Sequence, residues 1–85
     1  MPYIVKLKRS AEKELDRLPE KLYDRIIASL LALKENPYPA GVKKLQGREG
    51  HRIRVGNYRI LYVVDESRKV IDVFSIADRK EVYRL

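Results

Sequence analysis

Residues 51–62 read His-Arg-Ile-Arg-Val-Gly-Asn-Tyr-Arg-Ile-Leu-Tyr, a run that few folds can accommodate. Side chains alternate in polarity around Gly56 and Asn57, a dipeptide that suits the two-residue loop of a β-hairpin. Closing the hairpin there pairs Val55 with Tyr58, Arg54 with Arg59 and Ile53 with Ile60. Ile53, Val55, Tyr58, Ile60 and Tyr62 then share one face, and Arg52, Arg54 and Arg59 share the other. Like charges directly opposite each other destabilise a sheet. Such a cluster is therefore expected to bind an anion, phosphate first among the candidates. The basic character extends upstream: six cations lie between Lys43 and Arg59 (Lys43, Lys44, Arg48, Arg52, Arg54, Arg59) against one carboxylate, Glu49.

The 85 residues predict a single domain spanning 1–85. At this size only roughly 60–65% of the unfolded chain's surface becomes buried, so stability is expected to be modest. No run of about eighteen apolar residues is present, so no membrane span is expected. The segment Met1-Pro-Tyr-Ile-Val-Lys lacks the basic and apolar stretches of a signal peptide and reads as a first strand. With no cysteine, disulfides and thiolate metal sites are excluded, and a cytoplasmic location is expected. A formal charge of +7 and a pI near 9.8 favour polyanionic partners, and clustering of the charge favours nucleic acid over mere solubility.

Tyr3 to Lys8 alternates weakly and predicts a strand over about residues 2–8. Ser10 is placed as the N-cap of a short helix carrying Ala11, Leu15 and Leu18 on one side. Pro19 suits the first position of a second helix, in which Leu22, Ile26, Ile27, Leu30 and Leu33 form an apolar stripe. That helix is expected to stop at Asn36 and Pro37, before a loop through Gly41. After the hairpin and a polar turn over residues 65–69, residues 70–77 are apolar on both faces apart from Asp72 and Ser75, which predicts a strand inside the sheet. The order β-α-α-β-β-β describes an α+β fold: a small antiparallel β-sheet with two N-terminal helices packed on one face. Leu61 and Val63 continue the arginine face, so an exposed apolar patch and a partner's docking site are expected there.

No Asp, Glu and His set has metal-ligand spacing, so no metal is expected. The glycines are scattered through turns rather than gathered in a phosphate-binding loop, and no cofactor is expected. His51, the one histidine, begins a strand and reads as a solvated surface residue. In the C-terminal segment, Arg79 and Tyr83 are four apart, and one helical turn would bring them to the same side. Arg84 adds a further cation there. Taken alone, such a segment reads first as a frayed chain end docked by Val82 and Leu85; its position after a central strand, next to the hairpin, is what raises the functional reading.

The ordered set Ser10-Ala-x-x-Glu-Leu-x-x-Leu-Pro19, Asn36-Pro-x-Pro, Lys44-Leu-x-Gly, Arg52-Ile-Arg-Val-Gly-x-Tyr-Arg59-Ile-x-Tyr62 and Arg79-x-x-Val-Tyr83 resembles the RelE/ParE toxin superfamily, its RelE branch best. The resemblance covers nearly the whole chain. It implies a microbial-RNase-like fold and a toxin that cleaves mRNA in the ribosomal A site, neutralised by a RelB-like antitoxin encoded beside it. It also implies a chain that is monomeric when free and hetero-oligomeric with the antitoxin. Carried over by position, the family's basic strand residues fall on Arg52 and Arg54, and its catalytic set on Arg59, Arg79 and Tyr83. Two departures stand out: arginine replaces the lysines common in the strand, and the sequence stops two residues after Tyr83.

Cleavage through the 2′-hydroxyl needs a base, charge compensation at the phosphorane and help for the leaving 5′-oxygen. Arg59 and Arg79 fit the second and third needs, with Lys43, Lys44, Arg48, Arg52, Arg54 and Arg84 as supporting phosphate contacts. Tyr83 is the candidate base. Lowering a phenol from pKa 10 to about 7 takes roughly 4 kcal/mol of phenolate stabilisation, which neighbouring guanidiniums can provide. Two alternatives remain at this point: a ParE-like toxin that inhibits DNA gyrase by binding, and a silent member that binds only RNA or antitoxin.

Overall fold

The arginine-bearing hairpin forms in the anticipated register, and the rest of the sheet is assembled around it. In the computed structural model, which describes residues 2–78, the elements are β1 (Ile4–Leu7), α1 (Arg9–Asp16), α2 (Glu20–Glu35), β2 (Lys43–Lys44), β3 (His51–Val55), β4 (Tyr58–Asp65) and β5 (Val70–Asp78). The sheet has five strands in the order β1-β5-β4-β3-β2. β5 lies inside it, as its two apolar faces require.

The sheet is mixed rather than wholly antiparallel, because β1 runs parallel to β5, with Val5 opposite Ile71 and Leu7 opposite Val73. Turn residues reveal hairpins, but the direction of a strand joined through two helices is set by how those helices pack. β2 is the other addition, two residues long and paired with His51 and Arg52.

The helix boundaries also differ in detail. Lys8, not Ser10, occupies the N-cap of α1, and the Ser10 hydroxyl instead donates to the Phe74 carbonyl at 3.5 Å. Pro19 is the N-cap of α2 rather than its first residue. Both helices bury their apolar stripes on one face of the sheet. Ala11, Leu15, Ile26, Leu30 and Leu33 pack there with Ile53, Val55, Ile60, Tyr62, Ile71, Val73 and Ile76. Tyr62 is fully buried and donates to the Pro37 carbonyl at 2.6 Å, tying the end of α2 to the centre of the sheet. No helix among the described residues is long and apolar enough to cross a membrane.

Two irregularities shape the open face. Leu61 pairs with Ser75 but Tyr62 pairs with Val73, leaving Phe74 as the extra residue of a β-bulge. Residues 45–50 then form a strap whose ends are tied by Leu45 N–H donating to the Gly50 carbonyl at 2.9 Å. Gly50 has φ +135°, and a Cβ there would stand 2.9 Å from the Tyr62 carbonyl oxygen and 3.5 Å from Val63 Cγ2. Glycine is what lets the strap lie against β4.

Candidate nucleic-acid interface

Strand pairing alone brings the cations together. Arg54 stands opposite Arg59, and Lys43 stands opposite Arg52, so all four point to the face away from the helices. Lys43, Arg52, Arg54, Arg59 and Gly41 line a cleft of about 140 Å³. Among the described residues its lining carries four cations and no carboxylate. Arg59 is 7% exposed, held between Arg54 on one neighbouring strand and Ala77 on the other. Arg54 is exposed, and its Nε donates to the Gly56 carbonyl at 3.1 Å. That bond uses the turn itself to aim the guanidinium along the sheet. Guanidinium groups converging on one small cleft suit the oxygens of a phosphate, which they bind through charge-assisted, often paired hydrogen bonds.

Other anticipated residues fall elsewhere. Lys44 pairs with His51 and so lies on the opposite face from Lys43. Arg48 sits in the strap, with its guanidinium carbon 4.0 Å from the centre of the Phe74 ring. It is a stacked cation rather than a wall of the cleft. Leu61 is 9% exposed and Val63 half-buried, so the exposed apolar patch expected on them is absent. On that face the strap lies close to Val63 at Gly50, and Arg48 covers Phe74. His51 is half-buried rather than solvated, edge-on to Tyr38 at 5.2 Å and stacked on Tyr62 at 6.0 Å. Arg79, Tyr83 and Arg84 lie outside the described residues.

The model of the ParE toxin of type II toxin-antitoxin system, parDE, matches residues 5–83. Toxin RelE of Mycobacterium tuberculosis is 33% identical over 99% of this chain and 89% of its own length. The chain belongs to the RelE/ParE toxin superfamily, on its RelE branch. Among further relatives of this toxin, the putative toxin RelE1 of Methanocaldococcus jannaschii is 30% identical, over 99% of this chain and 98% of the relative. The archaeal RelE–RelB complex of Pyrococcus horikoshii OT3 superposes with a TM-score of 0.83 at 33% identity, covering 93% of this chain and 97% of that one.

Two tyrosines of this toxin are removed from acid–base work by their surroundings. Burial pushes the Tyr62 phenol up to about 12. Tyr38 is also raised to about 12, chiefly because its hydroxyl donates to Glu66 at 2.6 Å. Both hold their protons firmly near neutrality, so neither is a base. Among the described residues, no group of three His, Asp or Glu side chains could hold a metal ion.

Three contributors escaped the sequence reading. Gly41, at φ +87°, leaves the cleft's rim without a side chain. The Gly56 carbonyl orients Arg54. Phe74 supports Arg48 from a bulge. Gly41 alone had a local signal, as the last residue of Tyr38-Pro-Ala-Gly41.

Proposed function

We propose that this toxin is a ribosome-dependent mRNA endoribonuclease that works without a metal. The observation that supports it best is the four-cation cleft, because a single small cavity walled by Lys43, Arg52, Arg54 and Arg59 fits one phosphate. In this reading the cleft holds the scissile phosphate and compensates the charge that develops on the phosphorane. The 2′-oxygen attacks phosphorus and the bond to the 5′-oxygen breaks, giving a 2′,3′-cyclic phosphate and a 5′-hydroxyl. Tyr83 takes the 2′-OH proton, and Arg79 assists the leaving oxygen. Weak acid–base groups suit an enzyme whose host ribosome already positions the RNA, so free RNA is a poor substrate.

A RelB-like antitoxin is the partner, in keeping with the RelE–RelB complexes that this chain resembles. Leu61 is buried and Val63 half-buried, and among the described residues the most exposed large apolar side chains are Ile4 and Leu31, 58% and 57% exposed. They flank a groove of about 450 Å³ between β1, an edge strand, and α2. The free chain is monomeric in this reading and assembles with the antitoxin as a hetero-oligomer. A second reading, gyrase inhibition by binding, is favoured by the ParE description of the matching family.

Toeprinting in a translation extract tests the proposal. Wild-type toxin should produce cuts in the A site, and Arg59→Ala or Tyr83→Phe should remove them. Intact mRNA together with inhibited supercoiling by gyrase would establish the second reading instead.

A further inference from the structure

The basic cleft continues past its arginines. Gly41 and Arg54 also line a second cavity of about 270 Å³, bounded by Ser29 and Ala32 of α2, Pro39 and Ala40 of the next loop, and Ile53 of β3. Its origin is local. β2 pairs only with His51 and Arg52, so it stops short of the rest of β3. The helix facing that uncovered stretch presents two small residues, Ser29 and Ala32, beside the buried Leu33, and Gly41 adds no side chain. What remains is a slot with mostly apolar walls, the Ser29 hydroxyl for polarity, and a rim at Gly41 and Arg54 that it shares with the basic cleft. Its volume falls just under the ~300 Å³ from which small-molecule pockets begin, which suits one ring system rather than a larger ligand.

We propose that this slot is a nucleobase subsite. The base of a nucleotide flanking the cleft's phosphate enters between α2 and the 39–41 loop, and Arg54 touches both halves. The inference rests on the RNA-cleaving reading and adds to it a source of sequence preference within the toxin itself. Apolar walls with few polar groups favour a flat heterocycle, and the adjoining charge requires that it carry a phosphate.

Binding to the full chain by adenosine 3′-monophosphate, ribose 5-phosphate and inorganic phosphate tests it without a ribosome. The nucleotide should bind about tenfold or more tightly than ribose 5-phosphate. Ala32→Leu, an exposed helix position where leucine is well tolerated, should abolish that preference and leave inorganic phosphate binding within about twofold. Equal affinity of the wild type for nucleotide and ribose 5-phosphate would overturn the subsite, as would a preference that survives Ala32→Leu. A-site toeprints separate the two readings. Cuts by Ala32→Leu with altered codon dependence support the subsite, and cuts with unchanged dependence overturn it while cleavage stands. Absence of cuts by the wild type strikes only the cleavage reading, because the binding comparison decides the subsite independently.

Discussion

Lys43 and Lys44 are adjacent, both exposed and equal in charge, yet they should contribute very differently to RNA binding. Strand pairing puts Lys43 beside Arg52 in the cleft and Lys44 beside His51 on the far face. A cation about 4 Å from a phosphate is worth ~1 kcal/mol in water and ~4 kcal/mol at an effective dielectric constant near 20. Because Lys43 is exposed, the low end applies, roughly 1–2 kcal/mol, or about 5- to 30-fold in affinity. Lys44, on the order of 10 Å away, interacts at ~0.4 kcal/mol in water, and one Debye length of screening at 0.1 M salt lowers that to ~0.15 kcal/mol. Lys43→Gln should therefore weaken binding at least fivefold, and Lys44→Gln less than twofold.

The assay is fluorescence anisotropy with a short labelled single-stranded RNA, repeated across salt concentrations. Lys43→Gln should also lower the slope of log K against log salt by about 0.7, the increment for one phosphate contact on a single strand, while Lys44→Gln leaves it unchanged. Equal losses for both variants would show that net charge rather than the cleft binds RNA, and the geometric argument would fail.

Three further outcomes are expected. Gly50→Ala should cost about 2–4 kcal/mol, from strain at φ +135° plus a Cβ only 2.9 Å from the Tyr62 carbonyl, whereas Gly47→Ala, in open space at φ +77°, should cost about 1 kcal/mol; calorimetry should place the two melting temperatures several degrees apart, and coincident values would refute the strap's contact with β4. With folded pKa values raised to about 12, Tyr38 and Tyr62 contribute stability that is complete below pH 10 and is lost as pH climbs from 10 towards 12; phenolate absorbance should show a late titration step that Tyr38→Phe and Tyr62→Phe each diminish. Hydrogen bonds from Tyr3 and Tyr38 hold the Glu66 carboxylate below its ordinary range, so its contribution is present above that range and lost as pH falls through the lowered value; Glu66→Gln should flatten the acid limb of a pH–stability curve, and an unchanged limb would exclude this clasp.

The hairpin was legible because its information is local: alternation sets the faces, and Gly56 with Asn57 sets the register, giving Arg54 opposite Arg59 without any knowledge of the rest. The amphipathic stripe of α2 was readable for the same reason. What escaped notice depends on contacts between distant segments. The parallel pairing of β1 with β5 joins residues 66 positions apart in sequence. The bulge at Phe74 is a register shift against β4, and no residue in Val70–Asp78 marks it. Leu61 and Val63 looked exposed because alternation reports which face a side chain occupies, not whether a loop later crosses that face. Lys44 was grouped with Lys43 by proximity along the chain, although adjacent strand residues point to opposite sides.

The same periodicity explains how the chain sustains a cluster of like charge. Facing arginines cost about 0.2–1 kcal/mol per pair. On the reverse side of the same two strands, Ile53, Val55, Ile60 and Tyr62 are buried, and burying an apolar side chain of that size contributes roughly 1.5–3 kcal/mol. The apolar face outweighs the repulsion several-fold, even allowing for a denatured chain that is already partly collapsed. A slip of one residue would move the arginines into the core and the apolar set into water, so the packing that stabilises the sheet also enforces the cleft. The two faces can then fail independently. Neutralising a cleft cation weakens anion binding and leaves the fold as stable or more so. Truncating Ile60, which touches no anion, loosens the register and disperses the cations without changing their charge.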